Sequence, residues 1–387
     1  MNTRTGEIKM GRHLASIDWF LVVTAVLAMA YGFVLIKSST NAVAGQSNML
    51  TMQIVAIVLG LGCMLALSRS DYSHILKYAK YLYIISVATL ALTLLIGVGD
   101  EVGNRSWLRL PVPGFGTVGI QPSEIIKIVF ILTLAKHLDT IKEDINHPVN
   151  ILLLLAHFLV LFVLIFRAGD LGNNLVYAVV FVSMCFAAGM SVWYFIAGAF
   201  ALAASSPIWW NYLGEYRQLR ILAGINPQLY TDDWAYQALM SQRAIGSGGL
   251  LGTGYQQGFY TQNAWIPKQW TDFIYSAAGE EFGFVGAILV IILLTLIISR
   301  IFLISRRARN TSGSLICVGV MAIFIAQTVE NIGMCLALLP VVGITLPFFS
   351  YGGSSIVGSC LGIGIVLSVK CRANIYYFTH DENLDDY

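Results

Sequence analysis

Apolar runs of about 17 to 25 residues recur along almost the whole chain, and they limit the fold more than any other feature. A run of that length crosses a bilayer core as a helix, because a helix satisfies its own backbone hydrogen bonds where no water can. The expected class is an all-α polytopic membrane protein with about ten transmembrane helices. The runs fall near 15–37, 50–68, 78–98, 121–138, 150–166, 172–188, 190–210, 276–300, 313–339 and 346–369, with the sixth and seventh nearly continuous. Composition agrees, since 57% of the 387 residues are hydrophobic and 11% are charged. The basic stretch "MNTRTGEIKMGRH" precedes an apolar run too long for a cleaved signal, so that run is read as the first span.

Orientation follows Lys and Arg, which concentrate in cytoplasmic loops. With the N-terminus inside, fourteen of the 23 Lys and Arg residues lie on that side, among them Arg4, Lys9, Arg12, those of the loop "RSDYSHILKYAK" and the cluster Arg300, Arg306, Arg307 and Arg309. Both termini are then cytoplasmic, and two large extracytoplasmic loops, about 99–120 and 211–275, face outward. Neither is disordered in composition. The larger holds Trp234, Trp265 and Trp270 and the segment "QALMSQRAIGSGGLLGTG", expected to lie as a short amphipathic helix along the interface. Its glycines lack the Lys-Ser/Thr ending of a phosphate loop and are read as a tight turn. The acidic tail "HDENLDDY" is read as a solvated terminus. Without repeats or low-complexity segments, residues 1–387 are expected to form a single integral membrane domain, with the lipid bilayer as partner and no nucleic acid. Six cysteines without CxxC spacing argue against disulfides and zinc, and His157, the lone intramembrane histidine, is expected to bond a neighbouring helix.

Charges within spans are costly and therefore informative. The fourth span opens "GIQPSEIIKIVF", and Glu124 and Lys127, three residues apart, share a helix face. Spacing alone fits a salt bridge that orients the helix as well as it fits a wet functional cavity. Gln327, Glu330 and Asn331 share a face in the ninth span and are read first as residues that join helices. Arg167 and Asp170 lie between the fifth and sixth spans. Arg105, Arg109, Arg217, Arg220, Arg243 and Lys268 make the outward-facing loops basic, a composition suited to phosphate.

The eighth span opens "TDFIYSAAGEEFGFVG", with Asp272, Glu280 and Glu281 at its entry. If a helix begins near Thr271, Glu280 lies about 12 Å deeper along the axis, so the three carboxylates are not one cluster. That separation disfavours a retaining glycosidase pair, whose carboxyls stand about 5 Å apart. Glu280 and Glu281 are expected in a buried network. Asp272 stands at the aqueous edge, where a helix N-terminus would favour its ionised form, and can act as a general base toward a lipid-linked substrate.

"GNRSWLRL", "QPSEIIK", "AIGSGGLLGTG", "TDFIYSAAGEEFGFVG" and "LPVVGITLPFFSYGGSS" occur in that order over essentially the whole chain. Together they resemble the SEDS family (shape, elongation, division and sporulation), and within it the RodA-like members more than the FtsW-like ones. The resemblance implies a ten-helix peptidoglycan glycosyltransferase of the bacterial cytoplasmic membrane. It would polymerise lipid II into glycan strands on the outer face during cell elongation, with a class B penicillin-binding protein as transpeptidase partner. By motif, Asp272 takes the place of the essential aspartate of the fourth outer loop. Glu124 and Lys127 become cavity residues, and Trp107 matches the tryptophan of the first large outer loop. Two departures stand out. "AGDLG" keeps Asp170 and Gly172 but lacks a preceding Gln-Pro, and "PKQW" places Lys268 and Trp270 where the family has an acid and a histidine.

The expected chemistry is deprotonation of the acceptor GlcNAc 4-hydroxyl by Asp272. The hydroxyl then attacks the donor MurNAc anomeric carbon with inversion, releasing undecaprenyl diphosphate. Lys127, Arg217 and Arg220 are the candidates for holding the pyrophosphate, with a divalent cation as the alternative, and Arg105, Arg109, Trp107, Glu124 and Asp170 complete the expected substrate site. No other cofactor is implied, and metal dependence stays open. Two rival readings remain, a lipid II flippase and a non-catalytic scaffold for the penicillin-binding protein.

Overall fold

The computed structural model describes residues 17–381 apart from 42, 44, 100–104, 113–115 and 232–234. Arg4, Lys9, Arg12, Trp234 and most of the acidic tail lie outside the described residues.

The chain is built from α1 (Trp19–Ser39), α2 (Gln46–Arg69), α3 (Tyr72–Lys77), α4 (Ala79–Ile96), the strands β1 (Leu108–Val112) and β2 (Gly116–Ile120), and α5 (Pro122–Thr140). There follow α6 (Pro148–Arg167), α7 (Leu171–Ala187), α8 (Val192–Ala204), α9 (Ser206–Tyr212), α10 (Glu215–Ile225), α11 (Tyr236–Ser247) and α12 (Phe259–Gln262). The last four are α13 (Ile274–Glu281), α14 (Gly283–Arg306), α15 (Thr311–Cys335) and α16 (Gly353–Asp381). A helix therefore lies in each segment expected to span. Among the described residues seven are long and apolar enough to cross a membrane, and eight if α8 and α9, bent by 59°, form one span. Of the remaining two segments, α5 carries Glu124, Lys127, Lys136 and Asp139, and α7 has 17 residues.

Local chemistry explains where helices begin. Pro122 and Pro148 occupy first turns, where a missing N–H costs nothing. Asp18 caps α1 by accepting from Leu21 N at 3.2 Å, and its carboxylate also takes Arg300 Nε (2.9 Å) and Nη2 (2.8 Å), which ties the start of α1 to α14. Asn310 caps α15 and accepts from Tyr72 Oη at 2.8 Å, joining α3 to it.

The core centres on α16, whose apolar window is 83% buried, whereas that of α6 is 17% buried and faces outward. His157 on α6 meets Thr133 Oγ1 at 3.1 Å and His137 Nδ1 at 3.2 Å on α5, the helix-to-helix role expected of it. All six cysteines are free.

Four expectations need correction. The eighth span is not one helix, because the chain breaks at Phe282 between α13 and α14, where Gly283 has φ +65°. The tenth begins at Gly353, and residues 346–352 form turns. The first large outer loop contains an antiparallel β-hairpin, pairing Leu108 with Ile120 through Val112 with Gly116. Finally, α11 does form within "QALMSQRAIGS", but Ala238, Leu239, Met240 and Ala244 are buried against the bundle rather than laid on lipid.

The glycine-rich segment after α11 is a turn, as expected, and its glycines let it grip α13. Thr253 N and Gly254 N donate to the carbonyls of Glu280 and Glu281. At Gly252, φ is +85° and a Cβ would overlap the Glu281 carbonyl. Gly252→Ala is expected to cost about 1–3 kcal/mol through backbone strain, read as a lower thermal unfolding midpoint in detergent. An unchanged midpoint would mean that this turn is not held as described.

Candidate active site

Asp272 lies in a turn over residues 267–273, two residues ahead of α13, and not in the first turn of a helix as the sequence suggested. Its position is set by the backbone. Asp272 N donates to Lys268 O at 3.1 Å, with Lys268 held at φ +57°. Asn331 Nδ2, on α15, donates to Asp272 O and to Ile344 O, both at 2.7 Å. One fully buried amide thus clamps two turns together.

The loop between α15 and α16 supplies the other face. Ser350 Oγ donates to Thr271 O at 2.5 Å and Tyr351 N to Trp270 O at 2.8 Å, immediately ahead of Asp272. A Cβ on Gly343 would stand 3.4 Å from Asp272 Oδ2, so the half-buried carboxylate faces bare backbone there. The same loop meets α2, where Gln53 Oε1 accepts from Gly352 N at 3.2 Å. It also meets α10, because Gly224 lies so close to Pro340 that a Cβ would overlap it. Arg220, one turn earlier on α10, lines a small recess, with room for about one water, together with Pro227, Leu339 and Val341. Arg217 stacks its guanidinium over Phe166 at 5.3 Å.

Glu280 and Glu281 form the buried network expected of them. Glu280 accepts from Tyr260 N (2.7 Å), Thr261 N (2.9 Å) and Thr261 Oγ1 (2.6 Å), while Glu281 Oε1 accepts from Ser38 Oγ (2.7 Å) and Gln262 Nε2 (2.8 Å). Both hold the outer segment around α12 onto the bundle, leaving Asp272 as the separate, more exposed carboxylate.

Glu124 and Lys127 pair with each other. Lys127 Nζ lies 2.9 Å from Glu124 Oε2, with side chains 3% and 8% exposed. They line a small cavity, with room for about one water, together with Gln327, Phe324 and Ser359, between α5, α15 and α16. Of the two alternatives that spacing alone allowed, the salt bridge is present.

Asp170 caps α7 through Asn173 N (3.1 Å), and its other oxygen accepts from Gln121 Nε2 (2.7 Å), Asn173 Nδ2 (2.8 Å) and Ser123 Oγ (3.1 Å). It therefore anchors the start of the helix that carries Glu124 and Lys127. Gln121 N in turn donates to Ser354 Oγ at 3.0 Å. Gly172 lies under the same loop, since a Cβ there would come 2.6 Å from Ile344 Cγ1. Trp107 covers Gly119 in the β-hairpin, and Arg105 N donates to Ala168 O at 2.9 Å, drawing the first outer loop onto the Asp170 connection. Arg105, just ahead of that hairpin, and Arg109, on it, are exposed. Among the described residues no three His, Cys, Asp or Glu side chains gather as a metal site.

Sequence reasoning did not single out Gln121, Ser123, Ser350 or Gln327 as site residues. The polar run in "GIQPSE" could have pointed to Gln121 and Ser123, and the placement of Gln327 four residues before Asn331 to Gln327, while no signal marks Ser350.

Residues 18–375 match the cell cycle protein family of FtsW, RodA and SpoVE. The chain is 33% identical over 374 residues to the "Probable peptidoglycan glycosyltransferase FtsW" of Trichlorobacter lovleyi, covering 92% of this chain and 94% of that one. It is also 33% identical over 359 residues to the peptidoglycan glycosyltransferase MrdB of Escherichia coli, covering 91% and 93%. Among solved structures it is similar to a chain of a peptidoglycan synthase complex described as coordinating polymerization and crosslinking, with a TM-score of 0.79, 30% identity and coverage of 92% and 98%. The rod shape determining protein RodA of Thermus thermophilus superposes with a TM-score of 0.67 at 29% identity, covering 92% and 96%.

Proposed function

The chain belongs to the SEDS family, and from that premise we propose that it is a peptidoglycan glycosyltransferase polymerising lipid II on the outer face of the cytoplasmic membrane. The role is that of a RodA-like elongation polymerase working with a class B penicillin-binding protein. What carries the reading is the Asp272 turn, bonded on both flanks to the loop before α16, with a half-buried carboxylate at the outer ends of α13 and α15.

Asp272 takes the proton of the acceptor GlcNAc 4-hydroxyl as that oxygen attacks the donor MurNAc anomeric carbon. The glycosidic C–O bond to pyrophosphate breaks on the opposite side, the new bond is β-1,4, and undecaprenyl diphosphate departs. Negative charge grows on the leaving group, and cations that meet it lower the barrier. Lys127 is engaged by Glu124, so Arg220, beside the loop before α16, and Arg217, a turn earlier on α10 over Phe166, are assigned this role, with a divalent cation carried on the pyrophosphate as the alternative. The undecaprenyl tails lie along the apolar flanks of the bundle.

The test is polymerisation of lipid II by the purified protein together with its cognate class B penicillin-binding protein, the latter inactivated as a transpeptidase. Glycan strands longer than a disaccharide are expected. Their absence, under conditions in which another polymerase works, would favour the flippase or the scaffold.

A further inference from the structure

The Asp272 turn is gripped on one side by α15 and the loop before α16, because Asn331, Ser350 and Tyr351 bind the carbonyls of Asp272, Thr271 and Trp270. Gln269, three residues before Asp272 and 1% exposed, holds it from elsewhere. Gln269 Nε2 donates to Ser39 O at 2.7 Å and to Thr261 O at 2.8 Å. Ser39 is the last residue of α1, where a helix leaves carbonyls without partners of its own, and Thr261 lies in α12. Two carbonyls facing one amide atom require that atom to be the nitrogen. Gln269 Oε1 accepts from no described residue, so this side chain acts through its two N–H groups alone.

These bonds close a ring. The Asp272 turn leads into α13, and Glu280 near the far end of α13 accepts from Thr261 N and Thr261 Oγ1. The Thr261 carbonyl then returns to the turn through Gln269. The same amide reaches α1 beside Ser38, whose hydroxyl donates to Glu281. Gln269 thus joins the Glu280–Glu281 network to the turn that carries Asp272. The turn also contains Lys268 at φ +57°, directly before Gln269, with the amides of Thr271, Asp272 and Phe273 all directed at its carbonyl. Such a conformation persists in a residue other than glycine only where its surroundings over-determine it, and a neighbour anchored to two other elements contributes to that.

We propose that Gln269 is a positioning residue for the reaction, fixing the Asp272 carboxylate by tying its turn to α1 and α12. This rests on Asp272 being the base, as proposed above. A reacting group displaced by about 1 Å can lose about 10² in rate, and such a loss falls on kcat where substrate binding is kept.

The experiment compares Gln269→Met, which keeps side-chain length and removes both donors, with Gln262→Met. The latter removes bonds to Ser38 Oγ and Glu281 Oε1 in the same outer segment without touching the Asp272 turn. Lipid II polymerisation is measured with the transpeptidase-inactivated partner, and amide hydrogen exchange with the detergent-solubilised protein. Gln269→Met is expected to lower kcat by about ten- to a hundred-fold with KM little changed, and to speed exchange at Thr271, Asp272 and Phe273 by about ten-fold. Gln262→Met is expected to keep kcat and the exchange of those three amides.

A wild-type kcat in Gln269→Met, beside an inactive Asp272→Ala, would overturn the inference and leave the proposed function standing. Equal losses of kcat in the two glutamine variants would overturn it as well, because general loosening of the outer segment would then suffice. If wild type forms no strands, the proposed function fails and exchange decides the clamp: faster exchange at residues 271–273 confined to Gln269→Met supports it, and unchanged exchange refutes it.

Discussion

Asp272→Ala is expected to give a folded protein whose lipid II polymerisation is slower by about 10² to 10⁴, the usual contribution of a positioned general base. Folding should survive because Asn331 and Ser350 hold the turn by its backbone carbonyls. Asp272 N donates to Lys268 O, and Asp272 O accepts from Asn331, and neither uses the carboxylate. Asp272→Asn keeps the shape and should be as slow, which separates proton transfer from packing. The assay is the one with the transpeptidase-inactivated partner, with monodispersity in detergent as the folding control. A folded Asp272→Ala protein that polymerises at the wild-type rate would retain the enzyme and remove Asp272 as its base.

Lys127→Met carries the largest expected effect on stability, a loss of about 3–5 kcal/mol. It leaves the Glu124 carboxylate buried without its counterion, and breaking one half of a buried pair costs far more than replacing both halves. The double variant Glu124→Gln with Lys127→Met should therefore recover most of the unfolding midpoint lost by the single one, read by thermal unfolding in detergent. If the two variants unfold alike, the pair is not held as tightly as its 2.9 Å contact implies. A double variant that is stable yet fails to polymerise would separate a role of the pair in the reaction from its role in the helix packing.

The membrane class and the helix positions were readable because hydrocarbon enforces long apolar helices, and residues 79–96 or 148–167 can do little else. Boundaries set by tertiary contacts were not. In the eighth span Gly283, with its positive φ, was the local sign of a break after Phe282, and the rest of the cause is remote: the turn at Gly252 packs against the Glu281 carbonyl. Residues 346–352 are apolar enough to be taken for helix, yet Ser350 and Tyr351 spend their backbone and hydroxyl groups on the Asp272 turn. The Glu124–Lys127 pairing followed from three-residue spacing, since a helix brings such positions together. Asp170 was legible as a polar residue beside a span, but its three side-chain partners come from Gln121, Ser123 and Asn173, and only folding brings the first two to it. The hairpin in the first outer loop was missed because two short, weakly alternating segments with Pro and Gly give little periodic signal.

The loop before α16 also sets an order in time. Asp272 is translated ahead of Asn331, Gly343 and Ser350, so while the ribosome is still short of these positions its turn has neither its amide clamp nor its opposite face. A nascent chain already threaded through most of its spans would still lack a finished reaction centre. If Asp272 is the base, activity arrives late in synthesis, as the segment around residue 350 leaves the translocon and docks against α2. A truncation between α15 and Gly352 would release a well-inserted but inert protein, a distinction that staged translation products in membrane vesicles would display directly.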